Sequence, residues 1–294
     1  MQEGKGIGYV AAFAAIVLWS GNFVVARLLN EALSPLATSF WRWGIASAAL
    51  LPLGWSAFRR DWPAIVAHKW YFLLTAFVGI TIFNTMVYMA GRTSAAVNLS
   101  LIATSSPVFM FLFARIFLGE AISPRRVAGL VVALCGVLVL ISRGHVQALL
   151  QLEFTQGDLW MLLAAVCFAV YSVLARQRPQ GVSQSAFLVA TFIPGLIMLT
   201  PAYVADAWTG PAVQFTPLVV GCLLYIGLGA SLTAYFLWNK AVGILGSSLA
   251  GVLYYSIPVF AGLAAYLLLG EPVGFIHLAS GLLVIGGILL ATRG

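Results

Sequence analysis

Long apolar runs follow one another along this chain, separated by short polar linkers. Each run has about twenty residues, the length that an α-helix needs to cross the hydrocarbon core of a bilayer. Of the 294 residues, 62% are hydrophobic and 8% are charged. Soluble domains carry about 25% charged residues, and a soluble chain this apolar could not cover its surface. The sequence therefore predicts an integral membrane protein.

The apolar runs predict ten transmembrane helices and an all-α membrane fold. They are too long and too continuously apolar for the alternating pattern of a membrane β-barrel. Residues that begin helices lie between them, such as Ser123 followed by Pro124. The predicted helices cover residues 7–28, 34–57, 70–90, 94–118, 124–142, 157–176, 183–205, 215–239, 246–269 and 273–292.

Lysine and arginine are unevenly distributed around these helices. Loops on the cytoplasmic side of membrane proteins carry an excess of both. The bias predicts a multi-pass protein of the inner (plasma) membrane with both termini cytoplasmic. Tryptophans near the predicted helix ends, Trp238 among them, are expected to anchor those ends at the interface. The cytoplasmic ends would hold Lys5, Arg59, Arg60, Lys69, Arg125, Arg126, Arg176, Arg178, Lys240 and Arg293, against Arg27, Arg92 and Arg143 on the other side.

The two halves of the chain resemble each other. SSPVFMFLFARIFLGE at 105–120 recurs as SIPVFAGLAAYLLLGE at 256–271, where Pro-Val-Phe and Leu-Gly-Glu repeat at an offset of 151. GYVAAFAAIVLWSGNFVVAR at 8–27 aligns with GDLWMLLAAVCFAVYSVLAR at 157–176, at an offset of 149. Because each half holds five predicted helices, an odd number, the second half must enter the membrane upside down. The two predicted repeats are residues 1–146 (helices 1–5) and 147–294 (helices 6–10).

An inverted repeat is typical of membrane transporters. Two similar units that exchange slightly different shapes convert a protein open on one side into one open on the other side. A membrane scaffold has no need of this exchange. The repeat therefore favours a transporter that works by alternating access.

The same sequence does not predict an enzyme or a cofactor-binding protein. It contains no HExxH zinc motif and no Walker motif. Cys135, Cys167 and Cys222 each lie inside an apolar run, so we expect neither disulfides nor a metal site. The basic residues form no patch that would indicate nucleic-acid binding. We expect a monomer without cofactors, whose partners are a small-molecule substrate and membrane lipid.

Polar and aromatic side chains form stripes on several predicted helices. Thr81, Asn84, Thr85 and Tyr88 follow helical spacing and share one face. Polar groups in hydrocarbon must pair or meet water, so such stripes indicate interhelical hydrogen bonds or a hydrated cavity. We predict that a substrate cavity is lined by Trp19, Asn22, Arg42, Asn84, Tyr88, Asn98, Ser105, Tyr171, Tyr235 and Tyr254. The repeat aligns Trp19 with Phe168, Asn22 with Tyr171, Asn84 with Tyr235 and Tyr88 with Asn239.

Arg42 is the only charged residue well inside a predicted helix. An arginine at this depth is costly and needs a partner. No acidic residue lies at comparable depth. Backbone carbonyls, aromatic faces and a substrate carboxylate remain as its possible partners.

Pro107 and Pro258 fall within predicted helices at equivalent positions of the two repeats. Each removes a backbone hydrogen bond and tends to kink its helix. We predict that the pair forms hinges for closing either end of the protein, with a static bend as the alternative.

The stretch TSAAVNLSLIATSSPVFMFLFARIFLGE, its second copy and the arginine in FWRWGIASAALLP resemble the EamA branch of the drug/metabolite transporter superfamily. Within it the chain is most similar to YddG-type exporters of aromatic amino acids. The resemblance covers nearly the whole chain. It implies a central cavity surrounded by helices 1–4 and 6–9, with helices 5 and 10 at the periphery.

An aromatic, weakly charged cavity suits a modest apolar or aromatic solute with a polar head. We therefore expect export of small metabolites, in particular aromatic or neutral amino acids. No predicted helix interior carries Asp or Glu, so we expect a facilitator without proton coupling. A broad-specificity exporter of organic cations or drugs is the alternative, and a lipid flippase or scaffold is a third possibility.

Overall fold

The computed structural model is helical and contains no strand in the part of the chain that it describes. That part comprises residues 2–29, 32–94, 99, 102–142, 144–145, 147, 155–210, 213–269 and 274–292. The first half forms α1 (Gln2–Leu29), α2 (Pro35–Ala67), α3 (Lys69–Ala90), α4 (Ser105–Leu118) and α5 (Pro124–Ile141). The second half forms α6 (Gln156–Arg176), α7 (Gln184–Thr209), α8 (Pro217–Leu245), α9 (Ser247–Tyr254 and Ile257–Leu269) and α10 (Phe275–Thr292).

Six of these helices are long and apolar enough to cross a membrane, judged within the described residues. They are α3, α5, α6, α7, α8 and α10, while Ser105–Leu118 and Ser247–Ala261 are shorter apolar helices. A total of ten spans stays a prediction. Two helices run well past their predicted ends: α2 reaches Ala67 and α8 reaches Leu245. An apolar run marks the part of a helix in hydrocarbon, whereas the helix itself can continue into the polar interface.

Contacts between equivalent residues place an axis between the two halves. The Trp19 ring lies 5.6 Å from that of its repeat partner Phe168. Asn84 donates a hydrogen bond of 3.1 Å to the hydroxyl of its partner Tyr235. A residue that contacts its own partner must lie beside the axis that relates the repeats. A third such pair joins the Tyr255 hydroxyl to the Thr104 carbonyl, at 2.9 Å.

Helix contacts away from this axis also occur in equivalent pairs. A Cβ on Gly8 would lie 2.8 Å from the Leu245 Cγ, so α1 approaches the end of α8 closely. A Cβ on Gly157 would lie 2.8 Å from the Ser94 Cβ, so α6 approaches the end of α3 in the same way. Gly157 and Ser94 are the repeat partners of Gly8 and Leu245. The first helix of each half therefore packs against the third helix of the other half.

Carboxylates connect helix ends on two opposite faces of the protein. On one face Asp61 accepts from the Ser183 backbone N–H at 2.8 Å, and Glu120 accepts from the Ser247 N–H at 3.0 Å. Both contacts lie at the start of a helix, where N–H groups are unpaired and negative charge is favoured. On the other face, Asp158 bonds Ser94 and Asp206 bonds Ser34. The helix ends predicted to be cytoplasmic thus meet on the first face.

Small residues allow α5 and α10 to pack closely. A Cβ on Gly129 would lie 2.5 Å from the Gly287 carbonyl oxygen, and one on Gly136 would lie 2.9 Å from the Val284 nitrogen. Small residues are the usual means of close helix approach in lipid. By contrast, a Cβ on Gly286 would have no neighbouring heavy atom within 4 Å.

This packing predicts opposite effects for two alanine substitutions. Gly129→Ala should lower thermal stability in detergent, because its Cβ would collide with the backbone of α10. Gly286→Ala should be neutral or stabilising, because alanine has a higher helix propensity than glycine by about 1 kcal/mol. Unfolding temperatures of the two purified variants check this. Equal effects would contradict the packing described for α5 and α10.

A second prediction concerns Asp61, which lies beyond the predicted span 34–57. The hydrogen bond from the Arg60 guanidinium, with that from the Ser183 backbone, holds the pKa of this carboxyl well below its usual range. A lowered folded-state pKa gives stability that is complete at neutral pH and is lost only as the pH falls through the acid range. Asp61→Asn should cost about 1.5–3 kcal/mol, typical of hydrogen bonds to a charged group.

The control for Asp61 is Arg60→Gln, because the Arg60 side chain is 68% exposed. It should have the smaller effect on the unfolding temperature. The difference between the parent protein and Asp61→Asn should stay constant from pH 8 down to about pH 5. A difference that already disappears near neutral pH would contradict the lowered pKa of Asp61.

Candidate functional site: an aromatic cluster between the repeats

Two helices that approach the axis contain π-helical segments at corresponding places. The segment in α3 covers Phe77–Ile82, and that in α8 covers Tyr225–Thr233. Such segments are rare in proteins overall, but those that occur are frequently found at functional sites. Each offers a backbone carbonyl at the same repeat position: Gly79 accepts from the Tyr235 hydroxyl at 3.2 Å, and Ala230 accepts from Trp19 Nε1 at 2.8 Å. The π-helical segments therefore supply the polar partners for aromatic side chains at the axis.

Five aromatic side chains pack together at this level. The Trp19 ring lies 5.2 Å from that of Trp238, 5.8 Å from that of Tyr235 and 6.1 Å from that of Tyr254. With Phe168, these residues form what we call the aromatic cluster. Most of its ring pairs are tilted or edge-to-face, the arrangements that aromatic quadrupoles favour. Tyr254 is the only member that is not fully or nearly fully buried.

The position of Trp238 corrects a sequence prediction. It was expected to anchor a helix end at the interface, but it is fully buried and donates to the Ser172 hydroxyl at 3.1 Å. The reason is that α8 continues to Leu245, so Trp238 lies inside the helix bundle. Trp70 and Trp208 are 74% and 86% exposed, as expected of interfacial residues.

Arg42 is buried and all three of its hydrogen-bonding nitrogen positions are engaged. Its Nε donates to the Ser231 hydroxyl at 2.5 Å, its Nη1 to the Tyr88 hydroxyl at 3.1 Å and its Nη2 to the Ala230 carbonyl at 3.2 Å. The guanidinium carbon also lies 5.4 Å from the ring of Trp43. Of the partners left open by the sequence, the structure therefore shows a backbone carbonyl and an aromatic face. Two hydroxyl groups complete the set.

Tyr171, another predicted site residue, forms a polar pair with Asn239. The Tyr171 hydroxyl and the Asn239 side chain exchange hydrogen bonds of 3.1 and 2.9 Å. Tyr171 is fully buried, and its ring lies 5.3 Å from that of Tyr235. This pair thus connects the aromatic cluster to the ends of α6 and α8.

The remaining predictions have different outcomes. The Ser105 hydroxyl donates to the Ile102 carbonyl at 2.6 Å, so its own helix satisfies it. Asn22 is partly buried, and its side-chain oxygen accepts no hydrogen bond among the described residues. Asn98 lies outside the described residues. The structure therefore brings Trp19, Asn84, Tyr235 and Tyr254 together at the axis, with Arg42 and Tyr88 adjoining them.

Both predicted hinge prolines follow interruptions of a helix. The α-helix of α9 is broken at Tyr255 and Ser256, just before Pro258. Helix α4 begins at Ser105, after a turn at Thr104, just before Pro107. Each proline therefore lies in the first turn of a helical piece, where it is tolerated, rather than within a continuous helix. Their role as hinges stays a prediction.

Sequence reasoning missed Ser231, Trp43 and Ser172 as partners of the site. No polar stripe in the sequence marks them. Ser231 lies in a π-helical segment, and Trp43 and Ser172 lie at deeply buried positions. The small residues of YIGLGASLT at 225–233 are the signal that could have been used. A run of small residues permits close approach, and a Cβ on Gly227 would lie 2.7 Å from the side chain of Ile45.

A protein-family model matches the chain in two separate segments. The model of the EamA-like transporter family matches residues 6–142 and, separately, residues 155–293. The chain belongs to the EamA-like transporter family. The resemblance found in the sequence is thereby confirmed, as is a two-repeat, all-helical, multi-pass membrane protein. The boundary predicted between residues 146 and 147 lies between the two matches and stays a prediction.

Relatives of this EamA-like protein match over nearly its full length. "Aromatic amino acid exporter YddG" of Ancylobacter novellus is 26% identical over 293 residues, 95% of each chain. "Probable terminal-alkyne amino-acid exporter" of Streptantibioticus cattleyicolor is 28% identical over 295 residues, 96% of this chain and 92% of that one. A transporter of Archaeoglobus fulgidus, whose name carries no substrate, is 27% identical over 278 residues, 94% of each chain.

A crystal structure is similar in fold to this EamA-like protein. It matches with a TM-score of 0.80 at 22% sequence identity, covering 97% of this chain and 96% of the other. The match supports the helical architecture described above.

The contacts of Arg42 predict that lysine cannot replace it. A lysine offers one ammonium in place of a planar fork and cannot serve three separate acceptors from the same position. Arg42→Lys should lower the free energy of unfolding by about 1.5–3 kcal/mol, the range for a hydrogen bond to a charged group. Thermal unfolding in detergent measures this. Ser231→Ala removes one of the acceptors alone, so a larger loss for Ser231→Ala would contradict the role given to Arg42.

Proposed function

We propose that this EamA-like protein exports small metabolites, most suitably aromatic or neutral amino acids, from the cytoplasm. It does so as a monomer with ten spans in the inner (plasma) membrane, with both termini cytoplasmic. Its mechanism is alternating access as a facilitator, without proton coupling, cofactor or catalytic step. Membrane lipid and the transported solute are its partners.

The observation that carries this proposal is the aromatic cluster at the axis between the repeats. Substrate sites of transporters with inverted repeats lie at the repeat interface near the middle of the bilayer. Trp19 and Tyr254 present aromatic faces there, and Asn84 and Arg42 place polar groups beside them. An aromatic solute with a polar head matches that combination of surfaces. Two relatives named as amino-acid exporters support the substrate class.

The absence of proton coupling in this proposal rests on the location of the carboxylates. Asp61, Glu120, Asp158 and Asp206 each bond a helix end at one of the two faces. None of these four lies in the aromatic cluster. A proton-coupled transporter usually needs a carboxylate or histidine that can take up and release a proton within the membrane. The described part of the cluster offers the solute no such group.

Export of organic cations is the second candidate. Aromatic faces attract cations, and the described cluster consists of five aromatic side chains. The guanidinium of Arg42 is engaged by Ser231, Tyr88 and Ala230, so a solute carboxylate would have to displace one of these. Because these three partners are neutral, Arg42 keeps its positive charge beside the cluster, and the case for a cation rests on the aromatic faces alone.

Flux into and out of proteoliposomes tests the proposal. Vesicles with purified protein are loaded with labelled tryptophan or phenylalanine, and efflux is followed with and without a pH gradient. Saturable efflux that is independent of the gradient is expected. Efflux that follows the gradient would overturn the facilitator mechanism but keep the transporter. Movement of organic cations without amino-acid efflux would favour the second candidate.

A pair of tyrosines on α9 tests the cluster as the site. Tyr254→Ala removes one wall of the aromatic cluster, and we expect the half-saturation concentration to rise by roughly two- to twelvefold, since an aromatic pair contributes about 0.5–1.5 kcal/mol. Tyr266→Ala is the matched control, because Tyr266 is 50% exposed on the same helix. Equal flux in both variants would contradict the site. Thermal unfolding of each variant separates loss of binding from loss of fold.

A further inference from the structure

The repeat relates the Tyr171–Asn239 pair to a second pair that is not formed. Tyr171 aligns with Asn22 at an offset of 149, and Asn239 aligns with Tyr88 at an offset of 151. Each pair thus consists of one tyrosine and one asparagine, with the two residue types exchanged between helices. Tyr171 and Asn239 exchange hydrogen bonds. The Asn22 side-chain oxygen, by contrast, accepts no hydrogen bond from Tyr88.

The two pairs occupy equivalent places in three dimensions as well as in sequence. The offset of 149 relates α1 to α6, as the Trp19–Phe168 contact shows. The offset of 151 relates α3 to α8, as the Asn84–Tyr235 hydrogen bond shows. One pair therefore lies on each side of the axis. Tyr171 and Asn239 lie toward the face that holds the Glu120 contact, and Asn22 and Tyr88 lie toward the opposite face.

The unformed pair has complementary unused groups. The Asn22 side-chain oxygen is buried and accepts no hydrogen bond among the described residues. The Tyr88 hydroxyl accepts from Arg42, and its own proton has no acceptor in the same part of the chain. A tyrosine hydroxyl can accept and donate at once. A bond from Tyr88 to Asn22 could therefore form without releasing Arg42.

Helix packing also differs between the two pairs, and it is closer at the pair whose hydrogen bond is formed. The end of α8 packs against α6, where the bond is formed. Contact between α1 and the corresponding end of α3 is weaker among the described residues. A buried polar group without a partner is costly and is unusual in a folded protein. The unpaired Asn22 oxygen is therefore available to accept a hydrogen bond in another arrangement of the same helices.

We propose that the two pairs are alternating gates, one at each side of the aromatic cluster. In the state described here Tyr171 and Asn239 close the side predicted to be cytoplasmic. In the opposite state that bond is broken, and Tyr88 donates to the Asn22 oxygen to close the other side. The inference rests on the alternating access of the proposed function and assigns the residues that perform it.

Cross-linking of cysteine pairs tests this assignment. In a background in which Cys135, Cys167 and Cys222 are alanine, one variant carries Asn22→Cys with Tyr88→Cys. A second variant carries Tyr171→Cys with Asn239→Cys. A short bifunctional thiol reagent should join both pairs, because the protein visits both closed states. Cross-linking of the second pair without any of the first would overturn the proposal.

A shift in population adds a second readout to the first cysteine pair. Tyr171→Phe removes the hydroxyl of the formed pair but keeps its ring. It should raise the rate of cross-linking between positions 22 and 88 about fivefold, the equivalent of a net hydrogen bond of about 1 kcal/mol. Tyr203→Phe is the matched control, since Tyr203 stacks on Phe40 at 4.0 Å and belongs to neither pair. An unchanged rate in Tyr171→Phe would contradict alternation.

A single substitution provides a test that does not depend on the cysteine variants folding. Asn22→Leu should leave the unfolding temperature unchanged or raised, because it removes an unpaired buried oxygen. It should nevertheless slow efflux by about fivefold, since the state that needs the Asn22 oxygen loses one hydrogen bond. Unimpaired efflux would overturn the role of Asn22. Cross-linking requires no transported solute, so the gates can be tested even if the proposed substrate is wrong.

Discussion

Polar groups inside a bilayer must find partners within the protein, and this requirement accounts for the centre of the structure. A tryptophan, an arginine and two tyrosines converge there, and each needs an acceptor. Two π-helical segments provide the Gly79 and Ala230 carbonyls at equivalent positions. Regular helices would have used those carbonyls for their own backbone bonds. The irregular backbone of α3 and α8 is therefore what makes a polar, aromatic centre compatible with lipid surroundings.

The inverted repeat explains why this centre is nearly symmetrical, and Arg42 shows where the symmetry ends. Its counterpart at an offset of 149 is Thr191, whose hydroxyl donates to the Phe187 carbonyl of its own helix at 2.9 Å. Arg42 instead crosses from α2 to α8 and also holds Tyr88. One half of the protein thus carries a cross-helix connection that the other half lacks. The two states of the proposed alternating-access cycle need not be equal in free energy, and Arg42 would be a physical source of the difference.

Much of the fold could be predicted because repeat and hydropathy are properties of sequence position. The offsets of 149 and 151 aligned Asn84 with Tyr235, and the structure shows that these two repeat partners meet at the axis. The positions of the π-helical segments could not be predicted, because they break the periodicity on which helix prediction depends. Trp238 was assigned wrongly for a related reason, since an apolar run does not show how far its helix continues. Hydrogen-bond partners such as Ser231 depend on how helices are rotated, which no single-helix pattern contains.

Tyr235 connects the proposed solute site with the proposed gate formed by Tyr171 and Asn239. Its ring contacts Trp19 at 5.8 Å within the aromatic cluster and Tyr171 at 5.3 Å in the formed pair. Its hydroxyl accepts from Asn84 and donates to Gly79 across the axis. A solute that displaces Trp19 must therefore move a ring that packs directly on the Tyr171–Asn239 pair. Packed interiors respond to such displacement by changing between discrete arrangements, because they have no free volume to deform gradually. In the proposed cycle, binding at the cluster and opening of one side would then be consequences of the same movement.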